Sequence, residues 1–170
     1  MKIKDRIKEL RRVKSSELIP NPKNWRTHPK QQKEALQGLL AEIGFAGAVL
    51  ARETPEGLML IDGHLRTETA VDSELPVLVL DVNEEEADKI LATFDPVAAM
   101  AHSNANALDK LLRSVQTSSQ AVADMLTDLA EKNSVIEFDP PPEEFEEVDE
   151  NIETNMKCPK CGYCWSDSNA

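Results

Sequence analysis

No stretch of this sequence approaches the roughly 20 consecutive apolar residues that cross a bilayer, which argues against an embedded helix. No apolar segment follows the basic start, MKIKDRIKELRR, so it does not read as a secretory leader. No cysteine precedes Cys158; the three present, Cys158, Cys161 and Cys164, fall within seven residues. That clustering argues against a disulfide framework and for metal ligation. There is no internal repeat. There is also no basic residue between Lys132 and Lys157, a gap that holds nine acids. Those nine account for most of the net charge of −12, so the rest of the chain is only mildly acidic. The strongly basic balance of an autonomous nucleic-acid binder is therefore lacking. The expectation is a cytoplasmic protein with no membrane association.

What is present suits one domain with appendages. The chain has 170 residues and is 41% hydrophobic, enough for one modest core. Residues 1–12 read as a basic arm, 13–100 as the domain, 101–133 as a helical extension, 134–156 as a disordered acidic linker and 157–170 as a cysteine tail. Val13–Ile19 reads as a first strand. Three prolines in Pro20–Pro29 make the next segment a loop. Ala35, Leu36, Leu39, Leu40 and Ile43 recur at helical spacing, predicting a helix over Gln31–Ile43 that Gly44 can end. Two short apolar runs, 48–53 and 58–61, flank Thr54-Pro55-Glu56-Gly57 and predict a hairpin. A helix is expected over His64–Val71, a buried strand over Val77–Leu80, and a helix over Glu84–Ala92 with Asn83 as its cap. Two more helices are expected, Ala105–Val115 and Gln120–Ala130. The fold class is α+β, with helices packed on a small mixed sheet.

The segment that carries chemistry is Leu60-Ile-Asp-Gly-His-Leu-Arg-Thr-Glu-Thr-Ala70. A strand ends, a glycine turns the chain and a helix begins. Free backbone N–H groups at such a start favour an anion. Gly63 permits close approach of a phosphate, and Arg66 can add a charge-assisted contact. Asp62 can cap the helix, bind a metal or accept a proton. The plain alternative is an N-cap aspartate beside a solvated arginine. A second basic loop, Asn21-Pro-Lys-Asn-Trp-Arg26, lies between the first strand and the first helix, with His28 close behind.

In order and spacing these pieces resemble the ParB N-terminal family of the ParB/sulfiredoxin superfamily. The resemblance rests on LIPNPKNWRTH, a helix ending in Ile43-Gly44-Phe45, the hairpin, IDGHLRTETA and PVLVLDVNEEEA. Asn21, Pro22, Arg26, Gly63, Arg66 and Ala70 match the family's N-P-x-x-x-R and G-x-x-R-x-x-x-A motifs. The resemblance covers about half the chain. It implies a ParB/sulfiredoxin-like sheet and a nucleotide or phosphate site formed by Asn21, Arg26, Asp62, Gly63, His64 and Arg66. The ligand would be CTP, ADP or ATP, with Mg²⁺. Sulfiredoxins carry a cysteine where this chain has His64, so that chemistry is not expected. The partitioning proteins' third motif is replaced by Ala92-Thr-Phe-Asp-Pro-Val-Ala, where Asp95 can stand for a metal-binding asparagine. The superfamily's free-serine kinases imply Asp62 and His64 as catalytic candidates, with Glu17 or Glu34 as the further carboxylate. Residues 101–133 are too short for a helix-turn-helix and dimerisation region.

Three functions follow as expectations. The first is a nucleotide-binding adaptor in DNA metabolism, of phage or mobile-element type, with a methyltransferase or other DNA-processing partner. The second is an enzyme, a nuclease or small-molecule kinase. The third is a protein-interaction module. Direct DNA contact and a homodimer belong to the same set of expectations. The tail, Cys158-Pro-Lys-Cys161-Gly-Tyr-Cys164, has the C-x-x-C-G start of a zinc knuckle. Cys158, Cys161 and Cys164 are its candidate ligands. Asp167, a distant histidine or a second chain would supply the fourth.

Overall fold

In the computed structural model, residues 3–135 and 156–165 are described. They belong to two compact units, Met1–Ile136 and Glu137–Ala170. The acidic run expected to form a disordered linker lies almost wholly outside the described residues.

The first unit is built on a five-stranded sheet. Its strands are β1 (Ile7–Lys14), β2 (Leu18–Ile19), β3 (Val49–Thr54), β4 (Gly57–Asp62) and β5 (Glu74–Leu80), in the spatial order β1-β5-β3-β4-β2. β1 runs antiparallel to β5 and β4 antiparallel to β3, whereas β3–β5 and β2–β4 are parallel, so the sheet is mixed. The helices are α1 (Lys30–Glu42), α2 (His64–Thr69), α3 (Glu84–Ala99), α4 (Ala105–Ser114) and α5 (Gln120–Lys132).

Side chains alternate across a strand with period two, and β5 shows how this divides the core. Leu75, Val77 and Val79 join Val13, Leu18, Val49, Ala51, Leu60 and Ala70 in one buried cluster. Leu78 and Leu80 join a second, with Ile61 and with Ala87, Ile90 and Leu91 of α3. α3 thus covers one face of the sheet. Its start is fixed by a reciprocal capping box: Asn83 Oδ1 accepts from the Glu86 N–H, and Glu86 accepts from the Asn83 N–H.

α1 and α5 pack together because Gly38 leaves room. A Cβ there would lie 2.2 Å from Ser119 Oγ and 2.8 Å from Val122 Cγ2. Glu42 at the end of α1 then receives the Ser118 and Ser119 N–H groups and the Thr117 and Ser118 hydroxyls, which fastens the start of α5.

Two expectations need correction. The first strand is not Val13–Ile19. β1 begins at Ile7, inside the segment read as an arm, and a 3₁₀ turn at Ser15–Glu17 separates it from β2. The helix expected to stop at Ala92 runs on through Pro96 to Ala99. A proline this close to a helix end removes only one of the last backbone bonds. The hairpin, α1, α2, α4 and α5 lie within two residues of their expected bounds, and β5 starts three residues earlier than expected.

Candidate functional site

The geometry of the site starts at the end of β4. Asp62 is the last residue of the strand, and Gly63 turns the chain with φ +92° before α2 begins. An L side chain rarely takes that conformation. Space also forbids one: a Cβ at Gly63 would sit 2.5 Å from Val49 Cγ1 and 3.3 Å from its Cα. The glycine is therefore demanded by the packing of this turn on β3. Gly63 itself is the cap residue, so Asp62 does not cap α2. Its carboxylate instead faces Arg66 at 3.5 Å, one helical turn on. The other arm of the Arg66 guanidinium donates to the Ala48 carbonyl at 2.8 Å, which aims the group between β3 and α2.

The proline-rich loop is held by its own hydrogen bonds and by α3. Asn21 is buried, and its Oδ1 accepts from the Lys23 N–H at 2.9 Å. Lys23 Nζ reaches Glu84 and Asp88 of α3, both at 2.7 Å. The Trp25 indole donates to the Leu91 carbonyl at 3.4 Å, and the Arg26 guanidinium lies 5.0 Å from the Trp25 ring centre. Arg26 forms an ion pair with Asp95. That contact exists because α3 continues past Ala92 and carries Phe94 and Asp95 up to the loop.

His64 joins the two motifs. The residue is 8% exposed, and its Nε2 accepts the Asn21 backbone N–H at 3.3 Å. Burial pushes its pKa below the ordinary value, with Asp62 and Glu68 acting weakly in the opposite direction. Burial favours the neutral ring, whose Nε2 ties the Asn21 loop to the start of α2.

Between these elements lies a cavity of about 520 Å³. Arg26, Asp62, Gly63, His64, Arg66 and Asp95 line its polar part. Leu36, Leu39, Ile61, Leu91, Phe94 and Met125 line its apolar part. A few polar groups set against an apolar wall is the usual build of a small-molecule site. Of the six residues expected at the site, five line the cavity. Asn21 does not, and acts by shaping the loop.

Gln31, Gln32 and Phe94, with Met125 and Asp128 of α5, also line the cavity, though no sequence motif marks them. The Gln31 amide donates to Asp128 at 3.0 Å, so the helical extension reaches the cavity rim. The one sequence signal for this was Gly38 in the middle of a helix.

Among the described residues, no group of three or more His, Cys, Asp or Glu side chains is placed to hold a metal ion. Cys158, Cys161 and Cys164 are free cysteines, the first partly buried and the other two exposed. Among the described residues, no helix is long and apolar enough to cross a membrane.

No protein-family model and no curated sequence matches the chain. Solved structures do. The C-terminally truncated chromosome-partitioning protein ParB from Caulobacter crescentus, complexed with CTP-γ-S, is similar with a TM-score of 0.55 and 17% identity, over 72% of this chain and 79% of that one. A Pnob8-like ParB-N domain is similar at 0.47 and 19% identity, over 78% and 52%. The Caulobacter crescentus protein complexed to the centromeric parS site is similar at 0.43 and 17% identity, over 74% and 70%. The chain thus has a ParB-like fold, a mixed α+β sheet with helices packed against it.

Proposed function

We propose that this chain binds a nucleotide in the 520 Å³ cavity, as an adaptor and not as a catalyst. The observation that carries the proposal is the convergence of Arg26 and Arg66, 40 residues apart in sequence, on one cavity that Leu36, Leu39 and Phe94 also line. Two guanidinium groups suit the oxygens of a phosphate chain. A base can lie against Leu36, Leu39 and Phe94. Both arginines already face carboxylates, Asp95 and Asp62, so the site holds its own counter-charges until an anion replaces them. CTP is the first candidate because the similar Caulobacter crescentus ParB is complexed with CTP-γ-S; ADP and ATP follow. Mg²⁺ is usually held by one or two carboxylates and by substrate phosphates. Asp62 and Asp95 are the residues that fit that role here, and the ion would neutralise phosphate charge.

Catalysis is less well supported. His64 is occupied by the Asn21 N–H, and Asp62 faces Arg66. A role in DNA metabolism, in a phage or mobile-element setting and with a DNA-processing partner such as a methyltransferase, is the context this reading favours. Direct DNA contact and homodimer formation belong to the same proposal. Calorimetric titration of the full chain with CTP, ADP and ATP, with and without Mg²⁺, tests it. At least one nucleotide should bind saturably, and Arg66→Ala should weaken that binding by roughly tenfold or more, the worth of a charge-assisted contact. Absence of binding by the wild-type chain to all three would overturn the proposal.

A further inference from the structure

A second cavity, of about 370 Å³, lies between the proline-rich loop, the β3–β4 hairpin and the start of α3. It shares no lining residue with the larger cavity.

Arg52 is the charge in it that the fold leaves unmatched. β3 is the middle strand of the sheet, and Arg52 lies on it between Met59 of β4 and Leu80 of β5. Leu50, two residues earlier, packs into the cluster under α3, so the period of two places Arg52 on that same face. The residue is half-buried, and among the described residues its guanidinium has no hydrogen bond or ion pair. The α3 carboxylates that line the same cavity, Glu84 and Asp88, are both engaged by Lys23 at 2.7 Å. A partly buried charge without a partner is costly. Its place here points to a ligand.

Asn21 supplies a second, independent sign. The residue is 7% exposed and lines this cavity. Its Oδ1 accepts the Lys23 N–H, which fixes the orientation of the amide and leaves Nδ2 with two donors to place. Among the described residues Nδ2 has no partner, yet no fully enclosed side-chain nitrogen or oxygen is unsatisfied. Nδ2 therefore reaches open space, and the space beside Asn21 is this cavity. Two unused donor groups thus meet at one place, and both call for an acceptor.

The charges around them narrow the ligand. Lys23 and Arg52 stand against Glu56, Glu84 and Asp88, one negative charge in excess. That balance disfavours a polyanion and favours a ligand that brings its own positive charge. We propose that this cavity binds a small ampholyte, a carboxylate joined to an ammonium group. The planar Arg52 fork and the Asn21 amide donate to the carboxylate. Glu56, which has no ion pair among the described residues, receives the ammonium together with Glu84 and Asp88. Met59 gives the connecting carbons an apolar surface.

The test titrates the isotope-labelled full chain with β-alanine, γ-aminobutyrate and ε-aminocaproate, whose two charges stand progressively further apart, and follows the amide shifts. At least one should give saturable millimolar shifts centred on Asn21–Asn24, Arg52–Met59 and Glu84–Asp88. The carboxylic acid and the amine of the same length, each with one of the two charges, should bind at least about tenfold more weakly, as the loss of one charge-assisted contact requires. Arg52→Gln and Asn21→Asp should each weaken binding by a similar factor. Arg52→Gln removes no internal bond, and Asn21→Asp keeps an oxygen for the Lys23 N–H, so both variants should melt cooperatively, as the wild type does. Absence of saturable shifts with all three probes, shifts centred elsewhere, equal binding of the singly charged analogues, or unchanged affinity in Arg52→Gln would overturn the proposal.

Discussion

Replacing Gly63 by alanine isolates the turn on which the site is built. The backbone there has φ +92°, and holding an L residue in the left-handed region costs about 1–2 kcal/mol. The new Cβ would also lie 2.5 Å from Val49 Cγ1 and 2.8 Å from its Cβ, in one of the most buried parts of the sheet. Overpacking of that kind costs roughly 1–3 kcal/mol. Gly63→Ala should therefore destabilise the fold by about 2–5 kcal/mol, a large part of the ~5–15 kcal/mol typical of a domain. Urea unfolding followed by circular dichroism measures this as a lower midpoint at unchanged slope. Val49→Ala supplies the control, because it removes the nearest atom but leaves the backbone in place. In that background the cost of Gly63→Ala should fall by about 1 kcal/mol, a coupling expected only of residues in contact. A cost below about 0.5 kcal/mol, or the same cost in both backgrounds, would refute the account of why glycine is needed here.

Other predictions address the cavity and its ties. Asp95→Asn should tighten Mg²⁺-free nucleotide binding roughly two- to fivefold by calorimetry, because it removes a half-exposed internal competitor worth up to ~1 kcal/mol; weaker Mg²⁺-free binding would show that Asp95 helps the ligand. His64 should make stability fall with acid. Burial holds its folded pKa below the ordinary 6.5, so the unfolded chain takes up a proton first. Its contribution is complete above about 6.5 and declines as the pH drops from there towards the folded value. Thermal midpoints of wild type and His64→Gln between pH 7.5 and 5 should show a smaller acid-side loss in the variant. Gly38→Ala should loosen α5 from α1, since its Cβ meets Ser119 and Val122, and amide exchange in α5 should rise while exchange in β3 and β5 does not.

The parts of the fold legible in the sequence were those whose side chains report a single buried face. α1 shows its period, β3 and β4 flank an unmistakable turn, and the Asn83 cap announces α3. β1 was hidden because it is an edge strand with one buried residue, Val13. It is fixed by its ladder to β5 and by cross-sheet pairs such as Lys8–Glu53 and Arg11–Glu53, which no apolar pattern records. Pro96 does not end α3, because this close to the C-terminus it forfeits only one backbone bond. The site was half legible. Both arginines and the Gly63 turn stand in recognisable motifs, yet the role of the glycine lies in its contact with Val49, a residue 14 positions away. His64 and Asn21 drew attention as ligand residues, and the structure binds them to each other. The apolar wall from α3 and α5 depends on helix packing, which local sequence does not encode.

The proposed nucleotide would occupy the cavity bounded by the Arg26 loop, the Gly63 turn, α3 and α5. Amide chemical-shift mapping of the full, isotope-labelled chain during titration with CTP, and with ADP and ATP in parallel, tests it most directly. Saturable shifts should concentrate at Asn24–Gln32, Ile61–Arg66, Ile90–Asp95 and Met125–Asp128, and be absent when Arg26 and Arg66 are both alanine. Saturable shifts centred elsewhere, or none at millimolar nucleotide with Mg²⁺, would contradict it.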